Sequence, residues 1–521
     1  MLCWPTPGSP LILNGEAREI TLVVEHHEAT MEAVREWARG LRLIDRHGEA
    51  HGLALLETAT GEQATAPPFA AERRTWPELP PVAAPRSRAI LRLHSADNST
   101  LPGGPSKQQL WHLAHGDRIL RRNCICRMPP GRTVRLAFAS DLHIAALWDR
   151  VAEAIERHVP HLFPTTLHPS ELLRKFVREA NELAAAGELD AVVLGGDLVD
   201  HVYVHPRREV EQGRRDTNLD ALLAMTAPLQ VPMFAIPGNH DYRIYPWRPR
   251  AYGLGSIGLD KEQTRKVLRA AGWWDWLPLA PSDTDALKTY ERDEDLLVHH
   301  RQAIAPTTDF HADLRGLRLV FANTGRDVVL NWNRVERERR SLMIRGLRSS
   351  WVDPDSEGLH EPQLHSVERA IDGAPAAVLF THAPLFHPRH RRREHAPFAI
   401  DPGERNGLAS RVHFENRLFA TGHRGGVIFR NPGEMIRTLT RASQPLAMIS
   451  GHVHKATAIH LDRRQMTAQL APFAAPVDGD SIPLLTAPSL GHRRGARGEK
   501  PGYILATFLD GRLSQVERRF L

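Results

Sequence analysis

Cysteine is almost absent: only Cys3, Cys124 and Cys126 occur in 521 residues. Three clustered thiols cannot build a disulfide framework, which favours a reducing compartment. Aromatic residues make up 6% of the chain, against 39 Pro and 37 Gly, a loop-rich composition with long segments between elements. Nowhere do 18 apolar residues run without a charge, so there is no candidate membrane span. The opening MLCWPTPGSP lacks a basic stretch followed by an apolar one, so a soluble, cytoplasmic protein is expected. Charge of one sign is also lacking. Lys and Arg total 67 against 61 Asp and Glu, a net +6 that excludes an acidic tail and is too small to identify a nucleic-acid partner.

What is present is a hydrophobic share of 42%, enough for a sizeable core, over a length that suggests two or more folding units. The chain divides at about residue 131. Residues 1–131 read as a small β-rich domain, with strands at Glu19 to Glu25, Gly52 to Leu56 and Ala89 to Leu93 and one helix from Ala29 to Leu41. Pro-rich and polar segments separate them. Residues 132–521 alternate apolar strands with amphipathic helices, the texture of a layered α/β fold. Cys124 and Cys126 read as two strand residues on one face, since no second pair exists to complete a metal site.

Histidine is abundant, with 29 residues. Imidazole is the commonest metal ligand and a proton carrier near neutral pH. Five apolar strands of the second part end in small polar clusters containing such residues. Val134 to Ser140 runs into Asp141, Leu142 and His143; Ala191 to Leu194 into Gly195, Gly196, Asp197 and, three on, Asp200; Pro232 to Ile236 into Gly238, Asn239, His240 and Asp241. Ala376 to Thr381 ends at His382, and Leu446 to Ser450 at Gly451, His452, Val453 and His454. In open α/β sheets the crevice outside the carboxyl ends of the strands is where ligands bind. Asp141 and His143, like His452 and His454, are two apart and so can point the same way. Four His, two Asp and one Asn are too many donors for one tetrahedral ion and suit two ions sharing a carboxylate. A GHxH string alone is expected about 0.1 times by chance in such a composition, so the weight lies in the ordered series.

That series, DxH, GDxxD, GNHD, an isolated His and GHxH, resembles the calcineurin-like metallophosphoesterase superfamily from residue 132 to the end of the chain. The resemblance implies a four-layer α/β/β/α sandwich beside the smaller N-terminal β-rich domain. It implies two divalent or trivalent metal ions, Mn, Fe or Zn, with Asp141, His143 and His454 on one, Asn239, His382 and His452 on the other, and Asp197 bridging. A hydroxide held between the ions would attack phosphorus, with His240 as the catalytic histidine and Asp200 as its orienting partner. Asn323, Thr324 and Gly325, Leu359 to Leu364 before a helix, and Pro501, Gly502 and Tyr503 also resemble the family. Ser/Thr protein phosphatases of the superfamily carry Gly after DxH and Arg-Gly after GDxxD, where this chain has Ile144 and His201-Val202. Purple acid phosphatases place a metal-binding Tyr where Asp200 stands. The Ser140 to His143 start and the GNHD block are most similar to the bacterial cyclic-nucleotide phosphodiesterase-like branch. A phosphodiesterase acting on a small phosphate ester or nucleotide is therefore expected. A phosphomonoesterase, a nuclease or a non-catalytic metal-binding scaffold are the alternatives.

Substrate choice must come from insertions. The 143 positions from Asn239 to His382 and the 70 from His382 to His452 leave room for caps at about 242–315 and 386–445. Trp273, Trp274 and Trp276 read first as packing for the helix Leu259 to Ala271, with base stacking as the alternative. Arg389 and Arg391, with Arg392 and Arg393 beside them, could bind substrate phosphate, or form a solvated basic loop, as could His492, Arg493, Arg494 and Arg497. The string His360 to His365 mimics a zinc-protease motif, but its histidines are five apart with Pro362 between, which does not place them on one helix face. The pairs His26-His27 and His299-His300 lack companion blocks and read as surface residues.

Overall fold

The computed structural model describes residues 2–15, 19–26, 30–60, 87–96, 108–161, 168–200, 218–242, 259–272, 298–324, 359, 361–386, 398–399, 432–465, 467–473, 480–491 and 500–521. The chain begins with β1 (Leu2–Trp4), β2 (Leu11–Asn14) and β3 (Ile20–His26). Helix α1 (Met31–Ala38) follows, then β4 (Leu41–Ile44), β5 (Ala50–Thr60), β6 (Ser87–Ser95), β7 (Gln109–His115) and β8 (Arg118–Met128). All eight strands form one sheet in the order β1-β3-β6-β5-β4-β7-β8-β2. Alternation explains how they bury one face: in β4, Leu41 and Leu43 are buried and Arg42 is exposed. Helix α1 is shorter than the sequence suggests. Thr30 caps it by accepting from the Ala33 N–H, and Leu41 already belongs to β4.

The rest of the chain supplies β9 (Thr133–Ala139), α2 (Ala146–His158), α3 (Pro169–Ala185), β10 (Ala191–Gly195), α4 (Asn218–Thr226) and β11 (Met233–Ile236). Then come α5 (Lys261–Ala270), α6 (Val298–Ala303), β12 (Phe310–Leu314), β13 (Leu317–Ala322), α7 (Glu361–Asp372), β14 (Ala376–Thr381), β15 (Phe398–Ala399) and α8 (Pro432–Arg441). The strands β16 (Leu446–Ser450), β17 (Thr457–Asp462), β18 (Thr467–Ala471), β19 (Ser481–Thr486), β20 (Gly502–Leu509) and β21 (Arg512–Phe520) complete it. One sheet runs β11-β10-β9-β20-β21, another β12-β13-β14-β16-β19-β17-β18-β15. Their central strands pair in parallel: β9, β10 and β11 in the first, β13, β14 and β16 in the second. Those strands are apolar at nearly every position, as strands covered on both faces must be.

The two sheets face each other across stacked phenylalanines. Phe138 of β9 lies 5.7 Å from Phe380 of β14, and Phe234 of β11 lies 5.3 Å from Phe321 of β13, centroid to centroid. The outer face of the second sheet is covered by α7 and α8 through Leu364, Val367, Ile371, Met435 and Leu439. This mixed α/β arrangement leaves the carboxyl ends of the parallel strands of both sheets on one common edge.

The N-terminal sheet has its own core around Leu22, Leu43, Leu91 and Trp111. Backbone bonds tie it to the rest: Gly8 N–H donates to the Ile304 carbonyl at 2.8 Å, and the Ala235 N–H in β11 donates to the Gly8 carbonyl at 2.9 Å. Asn123 adds side-chain bonds to the carbonyls of Ala227 and Leu229. Cys124 and Cys126 are both fully buried on β8, and burial pushes each thiol up to about 12. Two sequence expectations need correction. His300 is not a surface residue: it sits in α6 with 2% exposure. Leu359 to Leu364 does not simply precede a helix, because α7 starts at Glu361 with Pro362 in its first turn, where a missing N–H is harmless.

Candidate metal centre

Each strand end that the sequence marked delivers its side chains into the edge where the two sheets meet. Asp141 and His143 follow β9, Asp197 and Asp200 follow β10, and Asn239 and His240 open a short 3-10 turn, Asn239–Tyr242, after β11. From the facing sheet, His382 follows β14 and His452 and His454 follow β16. Asp141, Asp200, Asn239, His382 and Asp197 are at most 2% exposed.

Backbone bonds weld these loops to one another. The Asp141 N–H donates to the Gly196 carbonyl, the His143 N–H to the Asp197 carbonyl and the Asp200 N–H to the Ile144 carbonyl. Across the sheets, the Gly451 N–H donates to the His382 carbonyl, and the His452 N–H donates to Asp141 Oδ2 at 2.9 Å. The resulting backbone is strained. Asp141, His143, Asp197, His452 and His454 have φ of 56°, 50°, 49°, 69° and 54°, a region that costs an L residue about 1–3 kcal/mol and persists where surrounding structure imposes it. Two glycines are fixed by close approach. A Cβ on Gly196, at φ +94°, would lie 2.4 Å from His382 Nδ1, and one on Gly451 1.9 Å from Ser140 Oγ.

Among the described residues three groups of donor atoms converge at this site; two of them share Asp197, and the third is His143, Asp200 and His240. Asp141, His143, Asp197 and His454 can each place a ligand atom within 4.8 Å of the others, and so can Asp197, His382 and His452. In the first group His454 Nε2 is 2.9 Å from Asp141 Oδ1, and His143 Nε2 is 3.5 Å from His454 Nε2 and 3.7 Å from Asp197 Oδ2. In the second, His382 Nε2 stands 3.3 Å from Asp197 Oδ1, 3.3 Å from Asn239 Oδ1 and 3.2 Å from His452 Nδ1. The other nitrogen of His382, Nδ1, donates to the Gly195 carbonyl at 2.8 Å. That bond assigns the proton to Nδ1 and leaves a lone pair on Nε2, facing the oxygens of Asn239 and Asp197. Lone pairs converging in a buried pocket repel one another unless a cation lies among them, so the nitrogen and oxygen donor set fits two metal ions.

Without metal, protons compete for the same donors, and a protonated ring then takes the cation's part. Burial opposes ionisation of Asp197, but the rings of His240, His382 and His143 overcome it and hold its carboxyl well below the usual range. Asp141 is likewise held low, against burial, by His454 and His382. Burial and the neighbouring His382 depress His452, keeping that ring neutral. His143 is raised: Asp200, Asp197 and Asp141 outweigh its burial. Beside the donors, His240 Nδ1 is 3.0 Å from Asp200 Oδ1 and its Nε2 is 3.8 Å from Asp197 Oδ2.

Three contributors were missed in the sequence. Asp241, buried, accepts from the N–H groups of Gly238 at 2.7 Å, Val199 at 3.0 Å and Leu198 at 3.2 Å, clamping two ligand loops together. Burial and the charge of Asp197 push its carboxyl up to about 7. Its place in the GNHD block was visible, but its role needed the facing loop. Ser489, Leu490 and Gly491 bind the backbone around Asp141, through Ser489 Oγ to the Asp141 carbonyl at 3.0 Å and two N–H bonds. Trp148 Nε1 donates to Asp200 Oδ2 at 2.9 Å. Arg389, Arg391, Arg392 and Arg393, Trp273 to Trp276, His201-Val202, His360 and His492 to Arg497 lie outside the described residues.

Two facing sheets whose parallel central strands deliver a shared carboxylate and two donor sets from their ends define a dinuclear metallohydrolase. The chain belongs to the calcineurin-like phosphoesterase family, whose model matches residues 134–456. It is a phosphoric ester hydrolase with a centre for two divalent metal ions. No curated protein matches the sequence. Among solved structures, a dimetal phosphatase from Danio rerio is similar at 13% identity and a TM-score of 0.37, over 74% of this chain and 98% of that one. PhoD is similar at 10% identity and a TM-score of 0.37, over 96% and 83%. GAP50, the anchor in the inner membrane complex of Plasmodium, is similar at 10% identity and a TM-score of 0.27, over 72% and 81%. No helix among the described residues is long and apolar enough to cross a membrane.

Proposed function

We propose that this enzyme is a phosphodiesterase, in which Asp141, His143 and His454 would hold one metal ion, Asn239, His382 and His452 would hold the other, and Asp197 would serve both. The observation that carries the reading is the position of Asp197, which belongs to both donor groups and has the His240 ring beside it. When bound, the two ions supply Lewis-acid polarisation of the phosphoryl oxygens and a nucleophilic water at neutral pH. Mn, Fe and Zn all suit the mixed imidazole and carboxylate donors.

The chain's own residues do the rest. His240 Nδ1, paired with Asp200 Oδ1, fixes the ring so that Nε2 faces the centre, where it can stabilise charge on the phosphoryl group or donate a proton to the departing alkoxide. Asp241 and the Ser489 to Gly491 loop hold the ligand loops in place, so that little reorganisation remains at the moment of reaction. A diester rather than a monoester is supported by the Ser140 to His143 and GNHD blocks, which resemble the cyclic-nucleotide phosphodiesterase-like branch. The two buried thiols on β8 and the low cysteine count support a reducing, cytoplasmic setting. Arg389 and Arg391 are carried forward as phosphate-binding candidates on sequence alone. Nucleic acid is retained as an alternative diester substrate on the sequence alone.

Hydrolysis of bis(p-nitrophenyl) phosphate and of p-nitrophenyl phosphate, each in Mn²⁺ and in chelator, tests the reading, with Asn239→Ala as control. The expected result is metal-dependent diester cleavage that the variant loses. A clear preference for the monoester would make the enzyme a phosphomonoesterase instead.

A further inference from the structure

Asp200 is fully buried, and its two carboxylate oxygens have different tasks. Oδ1 lies 3.0 Å from His240 Nδ1 and 3.5 Å from His143 Nδ1, so a single oxygen faces two imidazoles. Those rings meet edge to face, with centroids 4.3 Å apart and planes at 82°. Oδ2 instead accepts from the indole N–H of Trp148 at 2.9 Å. An indole can only donate, so this bond requires an acceptor and fixes which oxygen turns away from the histidines. Rotation about the last bond of an aspartate is otherwise broad and roughly two-fold.

Trp148 is itself held from two directions. It lies in the first turn of α2, four residues past Ile144, the residue that bonds with the Asp197 to Asp200 loop. Its ring is 3% exposed and packs in a cluster with Val151 of α2 and with Val267 and Leu268 of α5. Helix α5 belongs to the long interval between Asn239 and His382 and is fixed at its start by a reciprocal cap between Asp260 and Gln263. The interval that separates two metal-ligand blocks thus supplies part of the wall against which the indole rests.

We infer that Trp148 is a positioning residue of this centre: its indole N–H locks the Asp200 carboxylate so that one oxygen aims the His240 ring at the reacting phosphoryl group. The inference rests on the phosphodiesterase reading for its chemical consequence but not for its geometry. A misaimed proton donor costs most when the leaving group is poor and least when it departs unaided. Trp148→Phe keeps an aromatic ring in the apolar cluster and removes the N–H together with part of the indole's volume, which is why the comparison of two leaving groups, and not the loss of rate alone, carries the test.

The test compares wild type and Trp148→Phe on two methyl aryl phosphodiesters, one leaving as p-nitrophenolate and one as phenolate, with Mn²⁺ bound. We expect kcat for the phenyl ester to fall by about 10- to 100-fold, the range for loss of a supporting partner behind a site residue, with a smaller fall for the p-nitrophenyl ester. KM and metal stoichiometry are expected to stay unchanged. Equal losses on both esters, or loss of metal, would assign Trp148 to packing alone and overturn the inference.

A second readout does not depend on turnover. In ¹H–¹⁵N spectra the His240 ring signals should move in Trp148→Phe and stay in place in Trp37→Phe, whose ring stacks on His115 in the N-terminal sheet. Unmoved His240 signals would overturn the inference. An enzyme inactive on both esters whose His240 signals respond would sink the phosphodiesterase reading and leave the positioning role standing. Should Trp148→Phe not fold, hydrogen exchange of the wild-type indole answers the same question. A protected N–H whose signal shifts in Asp200→Asn is expected, and a freely exchanging one would overturn the inference.

Discussion

The N-terminal sheet and the centre between the other two sheets are built from the same materials, apolar strands and buried polar anchors, yet they use backbone strain differently. Among the described residues, eight non-glycine residues adopt positive φ, and five of them are metal-ligand candidates. In the N-terminal sheet Asn123 is the one such residue described, at a step in the pairing of β7 with β8, where its side chain reaches the carbonyls of Ala227 and Leu229. Arg315 and Asp510 sit with Gly316 and Gly511 in tight hairpin turns, where left-handed pairs match the strand twist. The site residues have no such excuse in local turn chemistry. Their conformations are imposed by interlocking loops, and what those loops gain is convergence of side chains. One region spends its packing on stability, the other on holding groups that repel one another.

The largest effect expected from this contrast is at Asp197. Asp197→Ala should lose both bound metal and turnover, because both donor groups share that carboxylate. His240→Ala, by contrast, should keep its metal and lower kcat by about 10²- to 10⁴-fold. Metal analysis beside steady-state kinetics separates the two variants, and equal metal loss in both would erase the proposed division of roles. In the N-terminal sheet, Leu22→Ala should behave in the opposite way. Leu22 is fully buried, so denaturant unfolding should show a loss of about 2–5 kcal/mol, while the folded fraction keeps its metal content and kcat. A drop in metal stoichiometry there would show that the two regions are one energetic unit.

The smallest effect concerns a pair outside both regions. His168, at the start of α3, lies 3.0 Å from Asp149, and that hydrogen bond raises the pKa of its ring above the ordinary 6.5, against partial burial. A raised histidine stabilises the fold fully below its ordinary value and loses that contribution as pH rises through the folded one. His168→Leu should therefore lower the melting temperature more at pH 5.5 than at pH 9. The difference corresponds to at most about 1 kcal/mol, because water screens a partly exposed pair. No pH dependence of the difference would count against the ion pair.

Much of this was legible in the sequence because strands that are buried on both faces are continuous apolar runs, and their ends are marked by glycine and polar residues. The runs before Asp141, Asp197, His382 and His452 emerged as β9, β10, β14 and β16 within a residue or so of the expected ends. Helix α5 was visible from its periodicity, and the structure adds the Asp260 cap that starts it. His300 was misread because burial of a single imidazole leaves no local trace: its neighbours are polar, and only the packing of α6 encloses it. Trp148 was hidden for a similar reason. An indole in an amphipathic helix reads as core, and its N–H acquires a task only because Asp200, 52 positions away, folds over it.

The sequence by itself determined which residues could bind metal, the strands that carry them and the order in which they come, since hydrophobic periodicity and residue chemistry are local properties. Only the tertiary structure decided that Asp197 stands between the two donor groups, that His382 turns its lone pair inward by donating to Gly195, and that one oxygen of Asp200 serves two histidines. Those are matters of angle and distance between segments as much as 313 positions apart within one donor group, as for Asp141 and His454, and no local pattern encodes them. They are set when the two sheets stack their phenylalanines and bring their strand ends to a common edge.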